Sequence, residues 1–138
     1  MPSISGGCLC GAVRYHADAE PVFSIKCYCT DCRKTSGSAH AALIGFPKSA
    51  VAIEGQITRY VSKADSGNDA TRAFCPTCGA GVYALASAMP DLIFLRASTL
   101  DDVSVFKPQI AVWASRAPHW DPVSDTLPAF VTSPPPNA

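Results

Sequence analysis

Seven cysteines stand in three tight groups: Cys8 and Cys10, then Cys27, Cys29 and Cys32, then Cys75 and Cys78. A chain that places thiols this densely must bring them together or leave them reactive. Disulfides explain the pattern poorly, because the count is odd and a Cys8–Cys10 bridge would close a very small, strained ring. The opening Met-Pro-Ser-Ile-Ser-Gly-Gly has neither the basic nor the apolar region of an export signal. A reducing, cytoplasmic setting is therefore expected. Burial as small apolar side chains accounts for one or two of the cysteines, not for their clustering.

Metal binding does account for it. A tetrahedral zinc ion, with Zn–S bonds of about 2.3 Å, needs ligands delivered in close pairs on tight turns. Cys75-Pro76-Thr77-Cys78-Gly79 reads as such a turn. Pro76 presets one φ angle, and Gly79 is free to take φ > 0, so that backbone N–H groups point at sulfur. A closed structural site wants four protein ligands, and Cys8, Cys10, Cys75 and Cys78 supply them without dividing the three-cysteine group. Gly6, Gly7 and Gly11 would let the chain turn tightly around the ion. Sending Cys75 and Cys78 to the central group instead would leave Cys8 and Cys10 idle. Cys27, Cys29 and Cys32 then make a three-thiolate site with one open position, the arrangement of a catalytic zinc. Asp31, His40 or His119 as a fourth ligand would close it, and the sequence leaves that choice open. Two zinc ions per chain are expected, the open one more labile.

Short segments rich in aromatic or β-branched residues, bounded by Gly, Pro, Ser or Asp, predict strands over 12–16, 22–26, 39–46, 51–54, 58–62, 81–86, 92–97 and 110–114. A mainly β domain of short antiparallel strands follows. One short helix is expected over 30–35, capped by Thr30 or Asp31 and stopped at Ser36-Gly37, which puts Cys32, Arg33 and Lys34 at its first turn. Its N-terminus would favour thiolate over thiol. Residues 62–70 read as a flexible polar loop. Residues 1–132 read as a single zinc domain and 133–138 as a Pro-rich disordered tail.

The 11 basic and 11 acidic residues cancel without forming runs, so no nucleic-acid footprint is visible. No apolar run approaches the length of a membrane span. His16 is expected at the surface, and His40 is expected to be an ordinary strand residue. His119 is a candidate pocket-lining side chain. Trp113 and Trp120 are expected as core or pocket-wall aromatics, with the core favoured.

Three stretches resemble the glutathione-dependent formaldehyde-activating enzyme family, which includes centromere protein V. They are Gly-Gly-Cys-Leu-Cys-Gly-Ala-Val-Arg-Tyr at 6–15, Cys-Tyr-Cys-Thr-Asp-Cys-Arg-Lys-Thr-Ser-Gly at 27–37 and Arg-Ala-Phe-Cys-Pro-Thr-Cys-Gly at 72–79; a weaker piece is Ser-Arg-Ala-Pro-His-Trp at 115–120. The resemblance implies an Mss4-like (β-tent) fold with two zincs, partitioned as above, and places catalysis at Cys27, Cys29 and Cys32. It also implies a carbon–sulfur lyase activity, the reversible joining of glutathione and formaldehyde to S-(hydroxymethyl)glutathione. Tyr28 and Gln109 stand where relatives often carry His, which narrows the options for proton transfer. The expected mechanism seats a small thiol such as glutathione in the open position, where coordination favours the thiolate that adds to an aldehyde. Arg33 and Lys34 would attract an anionic substrate, unless both are simply solvated charges. The alternatives are a lyase acting on another thiol adduct, and a zinc-stabilised binding module without turnover.

Overall fold

The computed structural model describes residues 3–64 and 67–132, which form ten strands and one α-helix joined by turns and short 3-10 segments. The tail expected over 133–138 lies outside the described residues. Strands β1 (Ile4–Gly7), β2 (Arg14–Ala17) and β5 (Val51–Glu54) form a small antiparallel sheet in the order β1-β2-β5. The remaining strands are β3 (Phe23–Cys27), β4 (Ala41–Pro47), β6 (Thr58–Lys63), β7 (Asp69–Phe74), β8 (Gly81–Ala86), β9 (Leu92–Arg96) and β10 (Ile110–Val112). They form a seven-stranded sheet in the order β10-β3-β4-β9-β8-β7-β6. The mainly β, Mss4-like architecture is the one found. One pairing departs from the antiparallel rule: β10 runs parallel to β3, with Val112 opposite Cys27.

The pleat of the large sheet separates two apolar groups, because successive side chains point to opposite faces. On one face Ile44, Phe46, Ala73, Val82, Ile93 and Leu95 pack against Ile4, Tyr15 and Ala17 of the small sheet, and Cys8 and Cys75 belong to this group. On the other face Leu43, Phe94 and Val112 pack with Cys27 and Cys32. The two cysteine groups therefore sit on opposite sides of one sheet.

Strands β1 and β7 were not foreseen. Ile-Ser-Gly-Gly has little β propensity, yet Ile4 through Gly7 pair with Ala17 through Arg14. Gly6 and Gly7 thus lie in a strand rather than in the cysteine turn. Their reason is close approach, since a Cβ on Gly6 would lie 2.3 Å from the Tyr15 hydroxyl and 2.4 Å from the Thr99 carbonyl. Gly11 and Gly79 supply the positive φ of the two cysteine turns, at 84° and 77°. The polar loop is shorter than expected: β6 and β7 extend to Lys63 and Asp69, and Ala64 N–H donates to the Asn68 carbonyl at 2.8 Å.

The helix α1 (Thr30–Ser36) forms where predicted, but its cap is neither Thr30 nor Asp31. Cys29 is the N-cap, and its Sγ accepts from Cys32 N–H at 3.3 Å, as a Ser hydroxyl would. Gly37 ends the helix at φ 70°, donating to the Arg33 carbonyl at 3.2 Å. Trp120 is 66% exposed and does not lie in the core: it sits in a surface turn closed by Asp121 N–H donating to the Pro118 carbonyl at 3.0 Å. Trp113 does pack against the Cys27 group, with the Arg116 guanidinium 4.6 Å above its ring. Among the described residues no helix is long and apolar enough to cross a membrane.

Candidate metal centres

All seven cysteines are free thiols, and they converge as two groups. Cys8, Cys10, Cys75 and Cys78 form one, and Cys27, Cys29 and Cys32 the other, with the sulfurs of each lying within 4.8 Å of one another. This is the partition read from the sequence. In the first group, Cys10 Sγ lies 3.7 Å from Cys8 Sγ and 3.8 Å from Cys75 Sγ. Tetrahedral Zn–S bonds of 2.3 Å require sulfur separations of about 3.8 Å, so the donor set fits that ion. The knuckle works as its sequence suggests: Val13 N–H donates to Cys8 Sγ at 3.2 Å, and Thr77 and Cys78 N–H donate to Cys75 Sγ at 3.4 and 3.5 Å. The backbone N–H of Ala80, followed by that of Cys10, pushes the Cys78 thiol down to about 6.

The three-sulfur group is built from the end of β3 and the start of α1. Cys27 and Cys32 are buried, and Cys29 is half-exposed. Hydrogen bonds from Cys27 and Cys32 hold the Cys29 thiol well below the usual range, helped by Cys32 N–H and by the charge of Arg72. Cys27 is pushed up by the same interaction seen from its own side. Among the described residues no His, Asp or Glu atom joins this group, so Asp31, His40 and His119 do not close it.

His40 instead stacks on Tyr28, with ring centroids 4.9 Å apart, and its Nδ1 lies 3.8 Å from an Asp121 carboxylate oxygen. Burial pushes its pKa down, and Lys26 adds to that. His16 sits at the surface 2.8 Å from Asp18, and His119 is exposed. Tyr28 and Gln109 have structural roles here. Tyr28 is buried at 2% exposure against Ala39 and Ala111, and Gln109 Oε1 accepts from Ser24 N–H at 3.2 Å, fixing the parallel β10–β3 pairing.

Two arginines absent from the sequence-based assignment act on the triad. Cross-strand register aligns Tyr60, Arg72, Ala84 and Phe94 in one row on the face of the three-sulfur group. Arg96 is two residues beyond Phe94 on the same face. Burial pushes the Arg96 pKa down, while the field of Cys32, Cys27 and Cys29 opposes that. Arg33 and Lys34, expected to attract an anionic substrate, are a half-buried and an exposed residue of α1, and Arg72 is a cation whose charge favours the thiolates of Cys29 and Cys32. A usable signal was present: Arg96 ends the otherwise apolar run Leu-Ile-Phe-Leu, and Arg72 opens the third cysteine motif.

A cleft of 330 Å³ runs beside this face, lined by Thr35, Tyr60, Arg72, Phe74, Gly81 and Arg96. A second hollow of 320 Å³ shares Thr35, Gly81 and Arg96 and reaches Leu9, between Cys8 and Cys10. A third hollow, of 510 Å³ between Phe23, Val105 and Gln109, has no cysteine in its lining, and neither do the other two.

A curated protein of Halomonas elongata, which carries the provisional name of a glutathione-dependent formaldehyde-activating enzyme, is 25% identical over 123 residues, covering 85% of this chain and 78% of its own. A crystal structure of a Rhodobacter sphaeroides protein shares the fold, with a TM-score of 0.58 at 22% identity over 70% of this chain and 87% of that one. The family model described as glutathione-dependent formaldehyde-activating enzyme matches residues 3–116, a span that includes both cysteine groups and both cleft arginines. On that match, the chain belongs to the glutathione-dependent formaldehyde-activating enzyme family.

Proposed function

We propose that both cysteine groups hold zinc, closed and structural at Cys8, Cys10, Cys75 and Cys78 and open at Cys27, Cys29 and Cys32, in a cytoplasmic carbon–sulfur lyase of the S-(hydroxymethyl)glutathione synthase type. The observation that carries this reading is the three-sulfur group itself, which has no fourth described ligand, a half-exposed Cys29 and a cleft on the same face. A bound zinc ion would supply there a positive centre that favours the thiolate of a small thiol such as glutathione at neutral pH.

The chain's own groups set the rest. Cys27 and Cys32 are held by β3 and α1, so the triad is fixed before a substrate enters. Arg72 and Arg96 offset the negative charge of the sulfurs. In the addition, a sulfur lone pair forms the S–C bond while the carbonyl π pair moves to oxygen. The thiol proton is lost, and the oxygen gains one. Among the described residues the cleft lining contains no His, Asp or Glu, and in this reading solvent water takes and returns both protons. The reverse step breaks the C–S bond by the same exchange.

Metal analysis of protein purified without chelator should find about two zinc equivalents. Adduct formation from glutathione and labelled formaldehyde, followed by NMR, should be faster with wild type than with Cys29→Ser or with buffer. Equal rates in all three would remove the lyase assignment, and an absence of metal would remove the zinc assignment as well.

A further inference from the structure

Arg96 is the only buried charged side chain among the described residues, at 6% exposure. Its Nη2 donates to Thr35 Oγ1 at 3.0 Å, while its Nε is buried with no partner. No Asp or Glu pairs with it among the described residues. A guanidinium so placed is costly unless an anion completes its donors. Gly81, whose missing Cβ would stand 3.8 Å from Nε, forms a wall of both hollows, so no side chain separates them from the guanidinium on that side.

Arg72 lines the same cleft, and its hydrogen bond among the described residues, to the Ser62 hydroxyl, is a long 3.4 Å. Two guanidiniums therefore line one cleft that, among the described residues, contains no acidic residue, on the sheet face where Phe94 packs with Cys27 and Cys32 and where Cys29 is half-exposed. The planar fork of a guanidinium matches a carboxylate, which accepts two parallel N–H bonds. At 330 Å³ the cleft is at the small end of the range for small-molecule sites.

We propose that Arg96 and Arg72 form a carboxylate-recognition subsite beside Cys27, Cys29 and Cys32, which selects thiols carrying a carboxylate over neutral thiols. This rests on the reading that the three-sulfur group receives a small thiol. The competing role for both arginines is to act only as counter-charges to the thiolates, and the two roles differ in what they do to ligand choice.

The test is calorimetric titration of the purified protein, its zinc content measured, with 3-mercaptopropionate and with its methyl ester, which differ only in the carboxylate. Wild type should bind the acid at least about tenfold more tightly than the ester. Arg72→Gln, at a half-exposed position, should lower that ratio with zinc content and circular dichroism unchanged. Arg96→Lys, which keeps the buried charge but loses the fork, should lower it too. A wild-type ratio near one, or an unchanged ratio in both variants, would overturn the subsite and leave the arginines as counter-charges. Failure of both acid and ester to bind wild type would overturn the thiol-binding reading itself, and the subsite with it.

Discussion

Arg96 and Thr35 are joined by a 3.0 Å hydrogen bond that ties the end of β9 to the last turn of α1, the helix that carries Cys32. Thr35 Oγ1 also donates to the Asp31 carbonyl at 2.7 Å, so one hydroxyl links the helix backbone to a buried cation. Thr35→Val removes both bonds while keeping the shape. Because Thr35 itself is exposed and water can reach the gap, the loss should be about 0.5–1.5 kcal/mol. Urea unfolding would measure it, and Thr35→Ser should restore most of it.

The two cysteine groups should differ in how they release metal. Under chelator, zinc should leave the three-sulfur group first and the four-sulfur group second, which a chromogenic chelator would resolve as two phases. Only the second should coincide with loss of secondary structure, because Cys8 and Cys75 belong to the core between the two sheets. Cys75→Ser should accordingly abolish most of the folding stability, whereas Cys29→Ser should leave the fold intact.

Acid should weaken the link between the small sheet and the segment after β9. Asp101 accepts from Arg14 Nη1 at 3.0 Å and from the Ser5 hydroxyl at 2.8 Å. Arg14 first, then Ser5, holds its carboxyl below the ordinary value. A carboxylate depressed on folding stabilises above its unfolded value of about 4, and that contribution disappears as pH falls through the folded value. The Asp101 midpoint read by NMR should rise toward the ordinary value in Arg14→Ala. The stability difference between the two proteins should be present at pH 7 and shrink in acid. A midpoint unmoved by the substitution would contradict the assignment.

Gly6→Ala should destabilise by about 1–3 kcal/mol or more, because its Cβ meets the Thr99 carbonyl, which is backbone and cannot swing aside as a flexible side chain would. Thermal unfolding would check this. Gly11→Ala, where a Cβ meets nothing within 4 Å, should show only the cost of its positive φ.

Much of the site is legible in the sequence. The partition of the cysteines follows from counting ligands and from the Pro76–Gly79 turn, both short-range properties of the chain. Eight of the ten strands were placed from alternation and turn residues, while β1 and β7 were missed because Ile-Ser-Gly-Gly and Asp-Ala-Thr-Arg-Ala-Phe carry neither pattern. The helix was located, yet its cap was assigned to oxygen donors when the sulfur of Cys29 performs that role.

What the linear chain determined by itself was which thiols travel in pairs, since one or two intervening residues fix how far apart they can be. Tertiary structure alone decided that the two groups lie on opposite faces of one sheet, that Arg72 and Arg96 share the face of the three-sulfur group, and that His40 turns to Tyr28. The reason is register: whether a side chain joins one face or the other depends on pairings such as Arg72 with Ala84 and Leu43 with Arg96. These join strands 12 and 53 residues apart, beyond the reach of any local pattern.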